Sequence, residues 1–242
     1  MNVIKVSATD STNLHLKRML QESILEDYTV IVAETQQQGR GQGGSQWTTE
    51  SGKNLTFSVL KHFKNFHVKD KFLISMAVSL AIYKALRAIQ IPDLSIKWPN
   101  DILSGTRKLC GILIENTLKG SQLKLSIIGI GININQKAFD SLPNATSLTL
   151  ISGKTYDLET LLMDILLELK RQLALLEEHS VTALEKEYQQ LLFKKGELAV
   201  YNINGRQVEG IIRGVTKEGR LLLELGTQGV VSYGLKEIGY CL

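Results

Sequence analysis

The chain has 242 residues, 43% of them apolar, so it can bury a sizeable core and is neither disordered nor collagen-like. Its 28 basic and 24 acidic residues leave a net charge of +4, spread thinly instead of gathered into the basic face that nucleic-acid binding needs. Two cysteines far apart in sequence, Cys110 and Cys241, offer neither a disulfide framework nor metal-ligand spacing and point to a reducing, cytoplasmic setting.

The first residues carry Lys5 and Asp10 and no apolar run, so no secretory signal is expected. Residues 1–7 alternate weakly and predict a strand. Asp10-Ser11-Thr12-Asn13 then supplies several side chains able to cap a helix running to about residue 21. Residues 29–33, rich in β-branched side chains, predict a second strand leading into Gly39-Arg40-Gly41-Gln42-Gly43-Gly44. Residues 54–60 alternate again, and the basic run 61–71 reads as a solvated loop. Residues 72–89 are apolar nearly all round and predict a central buried helix, too short in its apolar part to span a bilayer.

Three strand-like segments follow, 94–98, 109–115 and 122–135, punctuated by Ser104-Gly105 and Lys119-Gly120-Ser121 as in an antiparallel meander. Residues 157–178 repeat leucine and isoleucine at helical spacing, and a second helix is expected over 182–193. At Lys194-Lys195-Gly196 the character changes to short β-rich runs. Asn204-Gly205 between two of them is a strong hairpin signal. The expected fold class is α+β: a mixed or antiparallel sheet with packed helices over residues 1–194, then a small C-terminal β-barrel over 195–242.

The glycine-rich stretch formally satisfies Gly-x-Gly-x-x-Gly, but residues 45–52 open no helix, so the dinucleotide-binding reading fails on context. A phosphate loop of the Walker type fails too, because Gly52-Lys53 is followed by Asn54. What remains is a segment whose backbone N–H groups can approach an anion, with Arg40 as a fixed charge; a mobile surface loop is the alternative. Lys97-Trp98-Pro99-Asn100-Asp101 ends a strand and places Asp101 where a carboxylate can face a cleft, or forms a plain structural turn. Lys108 enters an apolar strand, where it must reach solvent or neutralise an anion, and Gly111 marks a close approach within that strand. Cys110 reads as packing. His15, His62, His67 and His179 show no ligand spacing, and no metal ligand is expected. In Gly129-Ile130-Gly131-Ile132-Asn133-Ile134-Asn135 the glycines bare one strand face for a flat ring or a packed helix, with Asn133 and Asn135 offering amides on that side.

In this order the segments resemble the biotin–protein ligases, also called biotin–acetyl-CoA-carboxylase ligases: Asp10 to Asn13, Gln36 to Gly44 with Trp47, Lys97 to Asp101, Arg107 to Gly111 and Gly129 to Asn133. The resemblance covers most of the chain and implies a class II synthetase-like ligase domain. It also implies a two-step reaction through biotinyl-adenylate, with ATP, biotin and Mg²⁺ as small molecules and a biotin carboxyl carrier domain as protein partner. By the family pattern Ser11, Thr12, Asn13, Gln36, Gly39, Arg40, Lys108 and Gly111 hold biotin. Arg40, Gly41, Gln42, Trp47, Lys108 and Asn133 hold ATP and the adenylate. Lys108, Arg40 and Asp101 carry the chemistry, Asp101 by orienting or deprotonating the incoming lysine.

Two departures stand out. Gln42 stands where many members carry a second cation, which implies a weaker grip on the adenylate. The Ser-Thr-Asn motif starts by residue 11, so the form expected is monofunctional, without the DNA-binding domain of the family's repressor members. A lipoate–protein ligase is the nearest alternative, and a non-catalytic nucleic-acid adaptor a distant one. No membrane contact is expected, and a homodimer through exposed sheet edges is compatible with the sequence.

Overall fold

The computed structural model describes residues 1–140, 142–178 and 181–241. His179, to which no role was assigned, and Leu242, the last residue of the expected barrel, lie outside them. The larger sheet has seven strands: β1 (Asn2–Thr9), β2 (Thr29–Gln36), β3 (Leu55–His67), β4 (Leu94–Lys97), β5 (Asp101–Ser104), β6 (Arg107–Lys119) and β7 (Gln122–Ile132). Their order is β1-β2-β3-β7-β6-β5-β4, with β1 parallel to β2 and the other pairs antiparallel.

Helices cover both faces. The helix α1 (Thr12–Glu22) lies on one side, where Leu16 packs with Ile31, Leu60 and Ile127. On the other side lie α2 (Phe72–Ala88), α4 (Leu158–Glu177) and α5 (Val181–Gln190), with the short α3 (Leu148–Ser152) between sheet and helices in sequence. α2 buries residues on every face, as its all-round apolar sequence requires, because the sheet, α4 and α5 surround it. Asp157 caps α4, its Oδ1 accepting from the Thr160 N–H at 2.8 Å.

Two expectations need correction here. The basic run read as a solvated loop is instead the second half of β3 and the turn after it, and Lys61 is buried at 2% exposure. Its Nζ lies 2.7 Å from both Asp27 Oδ2 and Glu177 Oε1, and 4.9 Å from the Tyr28 ring centroid. Burial works against the charge of Lys61, but the two carboxylates outweigh it and hold its pKa above the ordinary lysine value. Charge count along the sequence does not reveal such partners, because they come from the segment before β2 and from the end of α4.

The second correction concerns the C-terminal appendage. β8 (Leu198–Ile203), β9 (Arg206–Val215), β10 (Leu221–Leu225), β11 (Gly229–Tyr233) and β12 (Ile238–Tyr240) form one open antiparallel sheet in the order β11-β10-β9-β8-β12. β11 and β12 stay as edges, so hydrogen bonding does not close a barrel. The sheet has no need to wrap on itself: Tyr201, Ile212, Leu221 and Leu223 join the same buried cluster as Phe72, Tyr188 and Leu192. The Asn204-Gly205 hairpin does form, with φ of 52° and 79° as a type I′ turn requires. Among the described residues no helix is long and apolar enough to cross a membrane.

Candidate active site

A cavity of about 230 Å³ opens between the N-terminus of α1, the loop after β2, and the strands β6 and β7. Its lining includes Ser11, Thr12, Asn13, Gln36, Arg40, Gly41, Gln42, Trp47, Asp101, Lys108 and Gly111, residues scattered over a hundred positions of sequence. Asn133 falls in an adjoining cavity that also touches Trp47, Lys97 and Lys108, so Trp47 borders both spaces, together with Gln46 and Lys108. Gly39 lines neither. It lines an outer cleft on the far side of the loop, and a Cβ there would overlap the Trp47 carbonyl, so the cross-hairpin contact explains this glycine.

The floor is built by α1. Ser11 is its N-cap residue, but its side chain makes no cap bond; the Thr12 N–H is satisfied instead by Gln36 Oε1 at 2.8 Å. Thr12 Oγ1 also reaches Gln36 Oε1, and the Ser58 hydroxyl lies 2.7 Å from Thr12 Oγ1 and 2.6 Å from Asn13 Oδ1. Ser58 carried no sequence signal beyond its place in an alternating strand. The Asn13 amide donates to Glu115 at 2.8 Å and to the Leu113 carbonyl at 3.3 Å. Thr12 and Asn13 are thus buried in a polar network that joins β2, β3 and β6, and Ser11 is buried beside them.

The glycine-rich stretch is a small hairpin. Gly41 N–H donates to the Ser45 carbonyl at 2.7 Å and Trp47 N–H to the Gly39 carbonyl at 2.9 Å, while Gly43 and Gly44 take φ of 68° and 91° at its tip. Those two amides hold the hairpin together, and Arg40 is the charged group of the segment that lines the cavity. One end of the guanidinium, Nη2, lies 2.6 Å from Glu115 Oε2. Its Nε is buried and without a partner, and so is Nε1 of Trp47. An unpaired buried donor costs roughly 1–3 kcal/mol.

The bare face on β7 is occupied, but by the protein itself. Gly131 stands opposite Gly111 in the register of β6 and β7, and the Trp47 indole lies across both. A Cβ at Gly131 would overlap the indole, and one at Gly111 would meet it at 3.0 Å. Gly129 is different: a Cβ there would come within 2.5 Å of Asn13 Oδ1, so helix packing explains that glycine. Asn135 must be taken out of the site. Its amide donates to the Tyr156 carbonyl and accepts from Thr149 Oγ1 and Tyr156 N–H.

Lys108 and Asp101 meet as an ion pair, Nζ to Oδ1 at 2.6 Å, with Nζ 5.6 Å from the centre of the Trp47 ring. A bulge aims Lys108: Leu103 pairs with Lys108 and Ile102 with Cys110, leaving Leu109 unmatched. The Lys108 N–H donates to the Asn144 carbonyl at 2.7 Å, fixing it from the other side. Asn100 locks the turn before Asp101 by exchanging bonds of 2.8 and 2.9 Å with Ile112. Lys97, in the same sequence motif but given no role from sequence, lines the adjoining cavity 5.2 Å from the Tyr240 ring. Burial, helped by the nearby Lys108 charge, pushes the Lys97 ammonium below its ordinary pKa, with Asp101 opposing. Burial drives the Cys110 thiol far above its ordinary pKa, which suits packing and not nucleophilic chemistry. His15, His62 and His67 make local hydrogen bonds away from the cavity.

Asp101 and Glu115 are both held by cations, and among the described residues no three His, Cys, Asp or Glu side chains converge. These residues do not fit a magnesium ion held by protein ligands alone.

Residues 5–133 match the family described as biotin/lipoate A/B protein ligase. The chain is 31% identical over 225 residues to the bifunctional ligase/repressor BirA of Escherichia coli, covering 92% of this chain and 69% of that protein. It is 29% identical to the biotin–[acetyl-CoA-carboxylase] ligase of Mycobacterium tuberculosis, covering 93% and 84% of the two chains. A biotin protein ligase from Aquifex aeolicus in complex with biotin and ATP superposes with a TM-score of 0.80 at 28% identity, over 98% of this chain and 97% of that one. With a family match over more than half its length, on a fold shared end to end, the chain belongs to the biotin/lipoate A/B protein ligase family.

Proposed function

We propose that this ligase activates biotin with ATP and transfers it to a lysine of a biotin carboxyl carrier domain. The observation that carries the reading is the cavity itself: two cations, Lys108 and Arg40, each paired with a carboxylate of the protein, line a space floored by a preformed polar network. In the first step a biotin carboxylate oxygen attacks the α-phosphorus of ATP, the bond to the β-phosphate oxygen breaks, and pyrophosphate leaves. Two anions are brought together, so fixed cations and aimed donors do most of the work. In the second step the acceptor amine attacks the acyl carbon, the bond to the phosphate oxygen breaks, and AMP leaves. The proton lost by the amine goes to a base.

The network around Thr12, Asn13, Ser58 and Gln36 would present the biotin head group with preset donors and acceptors. Lys108 would leave Asp101 for the developing phosphate and carboxylate charge, and Asp101, so released, would become the base facing the incoming amine. Trp47 would give the adenine a wall where the two cavities meet, with Asn133 in the adjoining one. Mg²⁺ would come with the triphosphate as part of the substrate and screen its charge. The ligase part is assigned to residues 1–194 and the appendage to 195–242, in a cytoplasmic enzyme.

The relatives' names favour biotin over lipoate. ATP–pyrophosphate exchange with purified protein and Mg²⁺ tests this, comparing biotin, lipoate and no acid. Exchange with biotin alone is the expected result, and exchange with lipoate alone would move the chain to the other branch of the family. A second expectation follows from the indole platform. Gly131→Val should push Trp47 off the glycines and raise the KM for ATP by about tenfold, the size of effect expected for overpacking a tight contact. An unchanged KM would mean that the resting place of the indole has no bearing on nucleotide binding.

A further inference from the structure

Glu115 lies outside the cavity, on the outer face of the loop that closes it. Gly111, Leu113 and Glu115 share one face of β6, so the strand that carries the Trp47 platform also carries this carboxylate. Three donors converge on it: Arg40 Nη2 at 2.6 Å, Lys17 Nζ at 2.6 Å and the Asn13 amide at 2.8 Å. Burial alone would raise its pKa, but these three partners outweigh that effect and keep it below the ordinary glutamate value. Arg40 forms the wall between the inner cavity and the outer cleft, and Glu115 grips it from the outer side. The bond to Nη2 fixes the plane of the guanidinium, and Nε is left buried and unpaired.

We infer that Glu115 is the positioning residue of Arg40, holding the loop shut and the guanidinium at the wall of the cavity, beside the place where an acyl phosphate would form. It touches no reacting atom and acts through Arg40. The inference rests on the adenylation reading given above. Its effect belongs to retention of the intermediate: an adenylate formed behind a loop that no longer latches escapes to water before an acceptor lysine arrives. The position matters more here because Gln42 supplies no second cation in this loop.

The test uses the full chain and four variants: Glu115→Gln, Lys17→Ala, Arg40→Ala and the double variant Glu115→Gln with Arg40→Ala. Biotin-dependent pyrophosphate exchange is measured first on the unaltered chain, and its absence would overturn both readings. With exchange present, release of biotinyl-adenylate from preloaded protein is followed in a chase with excess unlabelled biotin and ATP. Glu115→Gln should speed release by about tenfold, the scale of one charge-assisted hydrogen bond, while exchange changes much less. Lys17→Ala, which removes a different partner of the same carboxylate, should release at the unaltered rate. Adding Glu115→Gln to Arg40→Ala should change nothing further, because coupled residues give non-additive effects. Release at the unaltered rate in Glu115→Gln, an equal effect of Lys17→Ala, or full additivity in the double variant would each overturn the assignment while leaving the adenylation reading standing. Thermal unfolding of each variant separates loss of the latch from loss of the fold.

Discussion

Replacing Lys108 with alanine should slow biotin-dependent pyrophosphate exchange by about 10²–10³-fold, the usual cost of removing one group aimed at charge that develops in the transition state. The loss should fall on kcat more than on the KM for either substrate. Lys108 is bound to Asp101 before the reaction and gains its new partner only as the phosphate and carboxylate come together. Arginine at this position should restore little, since the bulge that aims the side chain fits a slim ammonium beside the Trp47 ring. The residual rate should carry the pH signature of Lys97. Its pKa is held down by burial and by the Lys108 charge, so its charge is lost earlier than that of a free lysine as pH rises. Removing Lys108 takes away that repulsion and leaves Asp101 to favour the ammonium, so the alkaline limb should move to higher pH. Near-normal exchange in Lys108→Ala would remove this residue from the mechanism.

Asp101→Ala should separate the two half-reactions. Transfer to the carrier lysine is expected to fall by about 10²–10⁴-fold, the range for losing a positioned base. Adenylate formation should fall much less, because Lys108 loses only its resting partner and keeps its backbone anchors at Asn144 and Thr146. Single-turnover transfer from a preloaded complex, compared with exchange on the same preparation, reads the two steps independently. Equal losses in both would mean that Asp101 serves only to hold Lys108, and the base would have to be sought elsewhere.

Much of the site was legible in the sequence because its parts sit in short motifs with local physical causes. Proline and asparagine end the strand before Asp101, alternation sets the faces of β6 and β7, and Asn204-Gly205 turns its hairpin on dihedral preference alone. What escaped depends on partners distant in the chain. Lys61 looked like a surface cation until Asp27 and Glu177 were brought to it. Glu115 and Ser58 looked like ordinary members of alternating strands until α1 was laid across them. The family resemblance implies a nucleotide contact for Trp47, but only the tertiary structure shows its indole resting on two glycines of neighbouring strands. The appendage was read as a barrel because its strands are short and its turns tight. Whether such a sheet closes is decided by what covers its inner face, and here Phe72 and Tyr188 do so from another part of the chain.

The pairing of Lys108 with Asp101 also bears on what the cavity refuses. A cation left open in a small polar space would collect inorganic phosphate, carbonate or any small carboxylate that diffused in. Here each intruder must displace a carboxylate tethered to the same scaffold, present at an effective concentration on the order of millimolar or above. A free anion gains little by that exchange, since it replaces one charge contact with another and gives up its own freedom of motion. A ligand that also fills the polar floor under Thr12 and Asn13 brings enough additional contact to win the lysine. The internal counter-ion therefore acts as a threshold, set so that only a molecule recognised at both ends can pull the cation away.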